Sequence, residues 1–182
     1  GLQDPGRHSH GLQGPVAAVT RYRAGATLAE IGVIAALYAA LTIVLQPASY
    51  GPLQFRLAEV LKPLVIWEPH LIPAFVLGNF LANLASPFSG PWELIFMPLV
   101  NLLGASLCHL LGRRWPYAGA ALYALLIAGA VSLMLSVLTD LPFAGLFPGL
   151  LASEGVLIIG GVPLMRAVLR AAEPARRRWR AA

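Results

Sequence analysis

Eight side chains in this sequence are chemically out of keeping with their neighbours: the charged Arg56, Glu59, Glu93 and Glu154, and the amides Gln54, Asn79, Asn83 and Asn101, all set in apolar runs. Carboxylates accept hydrogen bonds, guanidinium groups donate them and amides do both, so such a set can read the edge of a flat polar molecule. Asn79 and Asn83 are four apart and share a helix face, while Arg56 and Glu59, three apart, can also meet. Plainer roles stand beside this one. Arg56 and Glu59 can neutralise each other as a local ion pair, and asparagines can serve as hydrogen-bond glue between helices. Glu154 is the hardest to explain that way, because no basic residue is near it in sequence.

The elements that must position these groups follow from composition. Of 182 residues, 58% are hydrophobic and only 12% charged, with a mean hydropathy of +0.72. A soluble domain carries about 25% charged residues, so too little polar surface is present to cover a globule in water. The chain reads as an all-α polytopic membrane protein. Soluble enzymes and nucleic-acid-binding domains are excluded despite the net charge of +5. At about 20 residues per span the length allows six helices and no separate soluble domain. Pro and Gly punctuation predicts them near 28–46, 55–67, 70–85, 92–112, 116–138 and 146–171. Residues 1–20 read as a disordered leader without the apolar stretch of a signal peptide, 21–172 as the transmembrane domain and 173–182 as a basic tail.

Basic residues favour the cytoplasmic side. With both termini inside, Arg21, Arg23, Arg113, Arg114 and Arg166 through Arg180 all fall inside, and the outer connections near 47–54, 86–91 and 139–145 contain no Lys or Arg. Only Arg56 and Lys62, on the second helix, need a separate explanation. In this topology Arg56, Glu59, Asn79, Asn83 and Glu93 lie toward the outer ends of their helices. Glu154 is about 12 Å in, at 1.5 Å per residue. A charge within a span costs about 2.5–3.5 kcal/mol on insertion scales. A polar pocket open to the outside is the expected arrangement. Tyr50, Phe55, Phe88 and Trp92, at the same level, can stack on a ligand or serve as interfacial aromatics. Gly32, Ala36 and Ala40, alongside Ala35 and Ala39, form a smooth face on the first helix, suited to contact within the bundle or with another subunit.

The one lysine, Lys62, follows Leu61 rather than Gly, so the chain has no phosphate-binding loop for ATP. Cys108 has no partner cysteine, and His8, His10, His70 and His109 have no ligand cluster around them, so neither a metal nor a cofactor is expected. Cys108 and His109 are adjacent on a helix and point about 100° apart, which prevents a nucleophile–base pair. Ser89-Gly90, in a Pro-flanked loop, keeps an intramembrane enzyme as the rival class.

The runs GPLQFRLAEVL (51–61), GNFLANLASPF (78–88) and ASEGVLIIGGVPLMRAV (152–168) resemble the QueT family, the queuosine-precursor substrate-binding (S) components of energy-coupling-factor (ECF) transporters. The likeness covers about 28–170; Lys62-Pro63 departs from it. It implies a six-helix S-component bundle in a prokaryotic plasma membrane, with no catalysis of its own. The bundle would capture preQ1, preQ0 or queuine from outside and dock on a coupling (T) subunit driven by two ATPase (A) subunits. It also implies that the outer loops act as lids and that Gly32, Ala35, Ala36, Ala39 and Ala40 form the docking face. The ligand site would then draw on Gln54, Arg56, Glu59, Asn79, Asn83, Trp92, Glu93 and Glu154. A carboxylate, Glu154 or Glu59, would accept the two adjacent N–H groups of the deazaguanine. The same architecture for another vitamin, such as riboflavin or thiamine, is the nearest alternative.

Overall fold

The computed structural model describes residues 13–50 and 55–181, with side chains detailed over 24–50 and 55–175. Among them the chain is helical throughout and has no strand. Four helices are long and apolar enough to cross a membrane: Ala24–Val44, Trp92–Gly112, Pro116–Thr139 and Phe143–Ala175. Their outward faces are apolar. Val33, Leu99, Leu103, Leu133, Val156 and Leu164 are all exposed, as expected where the surrounding solvent is hydrocarbon rather than water.

Helix α1 (Gln13–Val44) begins inside the expected leader, and the four-residue α2 (Gln46–Ser49) caps it. The next element is a 3-10 helix, Leu57–Ile66. At about 2.0 Å per residue, its ten residues reach about 20 Å, farther than ten α-helical residues would. A single 3-10 turn, Pro69–Leu71, leads into α3 (Ile72–Asn83), whose twelve residues span about 18 Å. These two elements are too short to count as spans by length alone.

Helix α4 (Met97–Gly112) is preceded by a π-turn, Trp92–Phe96. Helix α5 (Pro116–Thr139) ends at Asp140, the one non-glycine among the described residues with a left-handed backbone (φ 57°), which turns the chain. Helices α6 (Phe143–Glu154) and α7 (Gly160–Ala181) run on through a second π-turn, Gly155–Ile159, as one long helix. The expected basic tail is therefore helical as far as Ala181; Ala and Arg are strong helix formers.

Neighbours in sequence pack in space: α3 on α1, α4 on α3, α5 on α4 and α6 on α5. The 3-10 helix touches α1, α4, α5, α7 and the second π-turn, and so lies at the centre. That position demands close approach. At Gly161 a Cβ would sit 2.4 Å from the Val60 carbonyl oxygen, so only glycine lets α7 lie against the 3-10 helix. At Gly104 a Cβ would meet the Tyr123 ring at 2.5 Å; the missing side chain is the seat for that tyrosine.

The small-residue face of α1 divides in two. Ala35 and Ala39 are buried, and Gly78 of α3 approaches the Ala35 carbonyl so closely that a Cβ would be 3.0 Å from it. Gly32, Ala36 and Ala40 are exposed. The docking expectation is corrected for Ala35 and Ala39, because a side chain buried within the bundle presents nothing to a partner.

A buried polar seam as candidate ligand site

The 3-10 helix has three residues per turn, so side chains three apart eclipse along one edge. Arg56, its N-cap, then Glu59 and Lys62 occupy that edge, and all three are buried. The bundle thus has a column of alternating charge on its central element. The expected pairing of Arg56 with Glu59 is not what forms. Arg56 turns toward α3 and the first π-turn, while Glu59 pairs with Lys62.

At one end of the seam Arg56 Nη1 donates to Asn83 Oδ1 at 3.1 Å and its Nε to the Ser49 carbonyl at 3.2 Å. Its Nη2 is 3.6 Å from Glu93 Oε1, and the guanidinium carbon is 5.0 Å from the centre of the Tyr50 ring. Asn83 Nδ2 donates to the Glu93 carbonyl at 2.8 Å and to Asn79 Oδ1 at 3.3 Å. The first of these bonds has a local cause. In the π-turn the Met97 N–H bonds back to the Trp92 carbonyl, five residues earlier. The next donor in that register would be residue 98, a proline with no N–H. The Glu93 carbonyl is left without an intrahelical donor, and Asn83 supplies one.

Deeper in the bundle Tyr38 donates its hydroxyl hydrogen to Glu59, which also forms the ion pair with Lys62. The Lys62 ammonium is 4.7 Å from the centre of the Tyr123 ring, and the Tyr123 hydroxyl donates to Asn101 Oδ1 at 3.0 Å. Glu154, at the junction of α6 and the second π-turn, has Glu59, Lys62 and Arg56 as its charged neighbours. It is 1% exposed and within hydrogen-bonding reach of Glu59, while its Oε2 receives no N–H donor among the described residues. A π-turn adds one residue to a helical turn and re-aims the side chains around it; Glu93 lies within the first of those described and Glu154 immediately precedes the second.

Of the residues expected at a ligand site, Arg56, Glu59, Asn79, Asn83, Glu93 and Glu154 share this seam, whereas Gln54 lies outside the described residues. Trp92 packs edge-on against Phe96, with ring centres 5.2 Å apart, and Phe55 is exposed. The expected open pocket is corrected to a closed one. The six polar residues are each at most 4% exposed. Next to Arg56, the Tyr50 hydroxyl donates to the Ala82 carbonyl at 2.6 Å and ties the chain after α1 to α3.

Tyr38, Lys62 and Tyr123 belong to the site but were not read from the sequence as ligand-site residues. The one available signal was a hydroxyl or ammonium group in mid-span, where each must find a partner. Among the described residues no three His, Cys, Asp or Glu side chains converge as a metal cluster.

An all-helical bundle with an apolar exterior and buried polar groups along its axis defines a polytopic membrane protein. The family model described as QueT transporter matches residues 28–170, and the chain belongs to that family. It is a family of transporters, not of enzymes. Searches among curated proteins and among solved structures returned no match.

Proposed function

We propose that this protein is the substrate-binding S component of an ECF importer and captures a deazaguanine queuosine precursor from outside the cell. The observation that carries this reading is the buried Glu154 carboxyl group, whose charged neighbours include Glu59 and whose Oε2 receives no N–H donor among the described residues. Leaving such an acceptor unmatched costs about 1–3 kcal/mol, and more for a charged group. Adjacent N–H donors on an aminopyrimidinone edge would satisfy it. Glu59 is less suited to that role, since Tyr38 and Lys62 already occupy it.

Charge refines the choice of ligand. Among the described residues the buried acids Glu59, Glu93 and Glu154 outnumber the buried bases Arg56 and Lys62. A cationic aminomethyl group, as on preQ1 or queuine, would offset the excess, whereas the neutral preQ0 would not. Glu93 would meet that cation, since its ionic contact with Arg56 is a long 3.6 Å.

The rest of the reading is architectural. Six spans are counted by adding the 3-10 helix and α3 to the four long helices, with both termini in the cytoplasm of a prokaryotic cell. The exposed or half-buried arginines Arg113, Arg114, Arg166 and Arg170 gather at one end, in keeping with that orientation. Gly32, Ala36 and Ala40 would dock on the coupling subunit, with two ATPase subunits supplying the energy that this chain has no loop to provide. The segments 47–54 and 86–91 would open as lids, which requires the Tyr50–Ala82 bond to break.

Thermal unfolding of the purified protein across a panel of deazaguanines and vitamins tests this. Stabilisation by preQ1 or queuine is expected; shifts confined to riboflavin or thiamine would reassign the ligand. An intramembrane enzyme is disfavoured by geometry. Ser89 follows the far end of α3, whereas His109 bonds the Val65 and Ile66 carbonyls before its start, about 18 Å away along that helix.

A further inference from the structure

We propose that a second site, unconnected with the buried seam, binds the phosphate of an anionic phospholipid headgroup at the arginine-bearing end of the bundle. A cavity of about 700 Å³ lies there, with Trp67, His109, Arg113, Arg114 and Arg166 among its walls. The three guanidinium groups come from two distant parts of the chain, the turn between α4 and α5 and the body of α7. None of the three makes an ion pair with a carboxylate among the described residues. Glu30 and Glu68, two of the acids at that end, contact His70, at 2.7 and 3.4 Å.

Basic residues that only orient a protein in its membrane need not share a cavity. These do, and their mutual repulsion is relieved by an anion between them. The guanidinium fork matches the oxygens of a phosphate better than a point charge does. The wall is also held in place. Arg166 lies over the Trp67 ring at 5.4 Å, and His109 Nδ1 donates to the Val65 carbonyl at 3.0 Å, which fixes the ring.

The choice of a lipid over a soluble phosphate follows from what surrounds the cavity. Trp67 and Trp115 stand at its level, as aromatic residues do at a headgroup interface, and Trp115 is 58% exposed. Leu110 and Tyr117, exposed on the two helices beside it, offer apolar surface along which acyl chains can lie. A basic pocket between helix ends is the form that anionic headgroup sites take in membrane proteins.

The test uses the full chain, purified in detergent and stripped of lipid. Phosphatidylglycerol, phosphatidylcholine and inorganic phosphate are added separately while bound lipid is counted by native mass spectrometry and the unfolding midpoint is recorded. Phosphatidylglycerol is expected to bind and raise the midpoint, and phosphatidylcholine to do neither. R166Q is expected to weaken phosphatidylglycerol binding about fivefold, and R113Q/R114Q/R166Q to abolish it, with helical circular dichroism unchanged. Equal binding of phosphatidylcholine, or full retention of phosphatidylglycerol by a folded R166Q, would overturn the proposal. An equal shift with inorganic phosphate would overturn the lipid assignment in favour of a soluble anion.

Discussion

Lys62 is the residue on which sequence and structure differ most instructively. In sequence it stands out only, with Pro63, as a departure from the family pattern. In the bundle it is fully buried, paired with Glu59 and set against the Tyr123 ring. Removing one member of a buried ion pair leaves the other charge uncompensated, at a cost of about 3–5 kcal/mol. Lys62→Met is therefore expected to lower the unfolding midpoint sharply, with Glu59→Gln added to Lys62→Met recovering most of the loss. A single variant as stable as its parent would mean that Glu59 has another source of compensation. Glu154→Gln is expected to leave stability intact and weaken preQ1 binding at least tenfold, the equivalent of about 1.4 kcal/mol. Titration calorimetry giving the parent affinity would reduce this carboxylate to a packing feature.

The elements, more than the residues, decide which groups meet. Arg56 and Glu59 were legible as neighbours because they are three apart, but an α-helix would have placed Lys62 well off their line. The 3-10 geometry stacks all three along one edge, and a ten-residue run of it is not something propensity predicts. The π-turns were equally invisible. One of them depends on Pro98, and its consequence can be tested. Pro98→Ala supplies the missing N–H, which then competes with Asn83 for the Glu93 carbonyl. Asn83 then loses the bond that anchors it to the Glu93 carbonyl while it holds Arg56. Ligand affinity is expected to fall while thermal stability holds or rises; unchanged affinity would separate the π-turn from binding. Gly161→Ala tests the close approach of α7, since its Cβ would lie 2.4 Å from backbone oxygen. Overpacking of this kind costs about 1–3 kcal/mol, read as a lower unfolding midpoint.

For the whole molecule the question is which surface meets lipid and which meets a partner. Helix α1 has the most outward-facing span of the four, with 22% of its most apolar window buried against 44% in α5. Bulky residues at Ala36 and Ala40 are expected to spare ligand binding and abolish uptake when the coupling subunits are present. At Ala35 and Ala39, buried within the bundle, the same change is expected to destabilise the fold itself. If uptake survives Ala36→Leu/Ala40→Leu, docking lies on a different face.

The membrane setting, the helical class, the family and the list of misplaced polar residues were all determined by sequence, because hydropathy and charge are properties of single residues read in order. Helix ends near Pro and Gly were legible for the same reason, and α4 and α5 end within a residue of where punctuation put them. Pairing was not. That Arg56 reaches Asn83 and Glu93 rather than Glu59, that Ala35 is spent on α3 while Ala36 faces outward, and that Tyr38 and Tyr123 close the site were decided only by tertiary structure. Each depends on how one helix is rotated against another. That rotation is set by the sum of many small packing contacts across the bundle, to which no local stretch of sequence gives access.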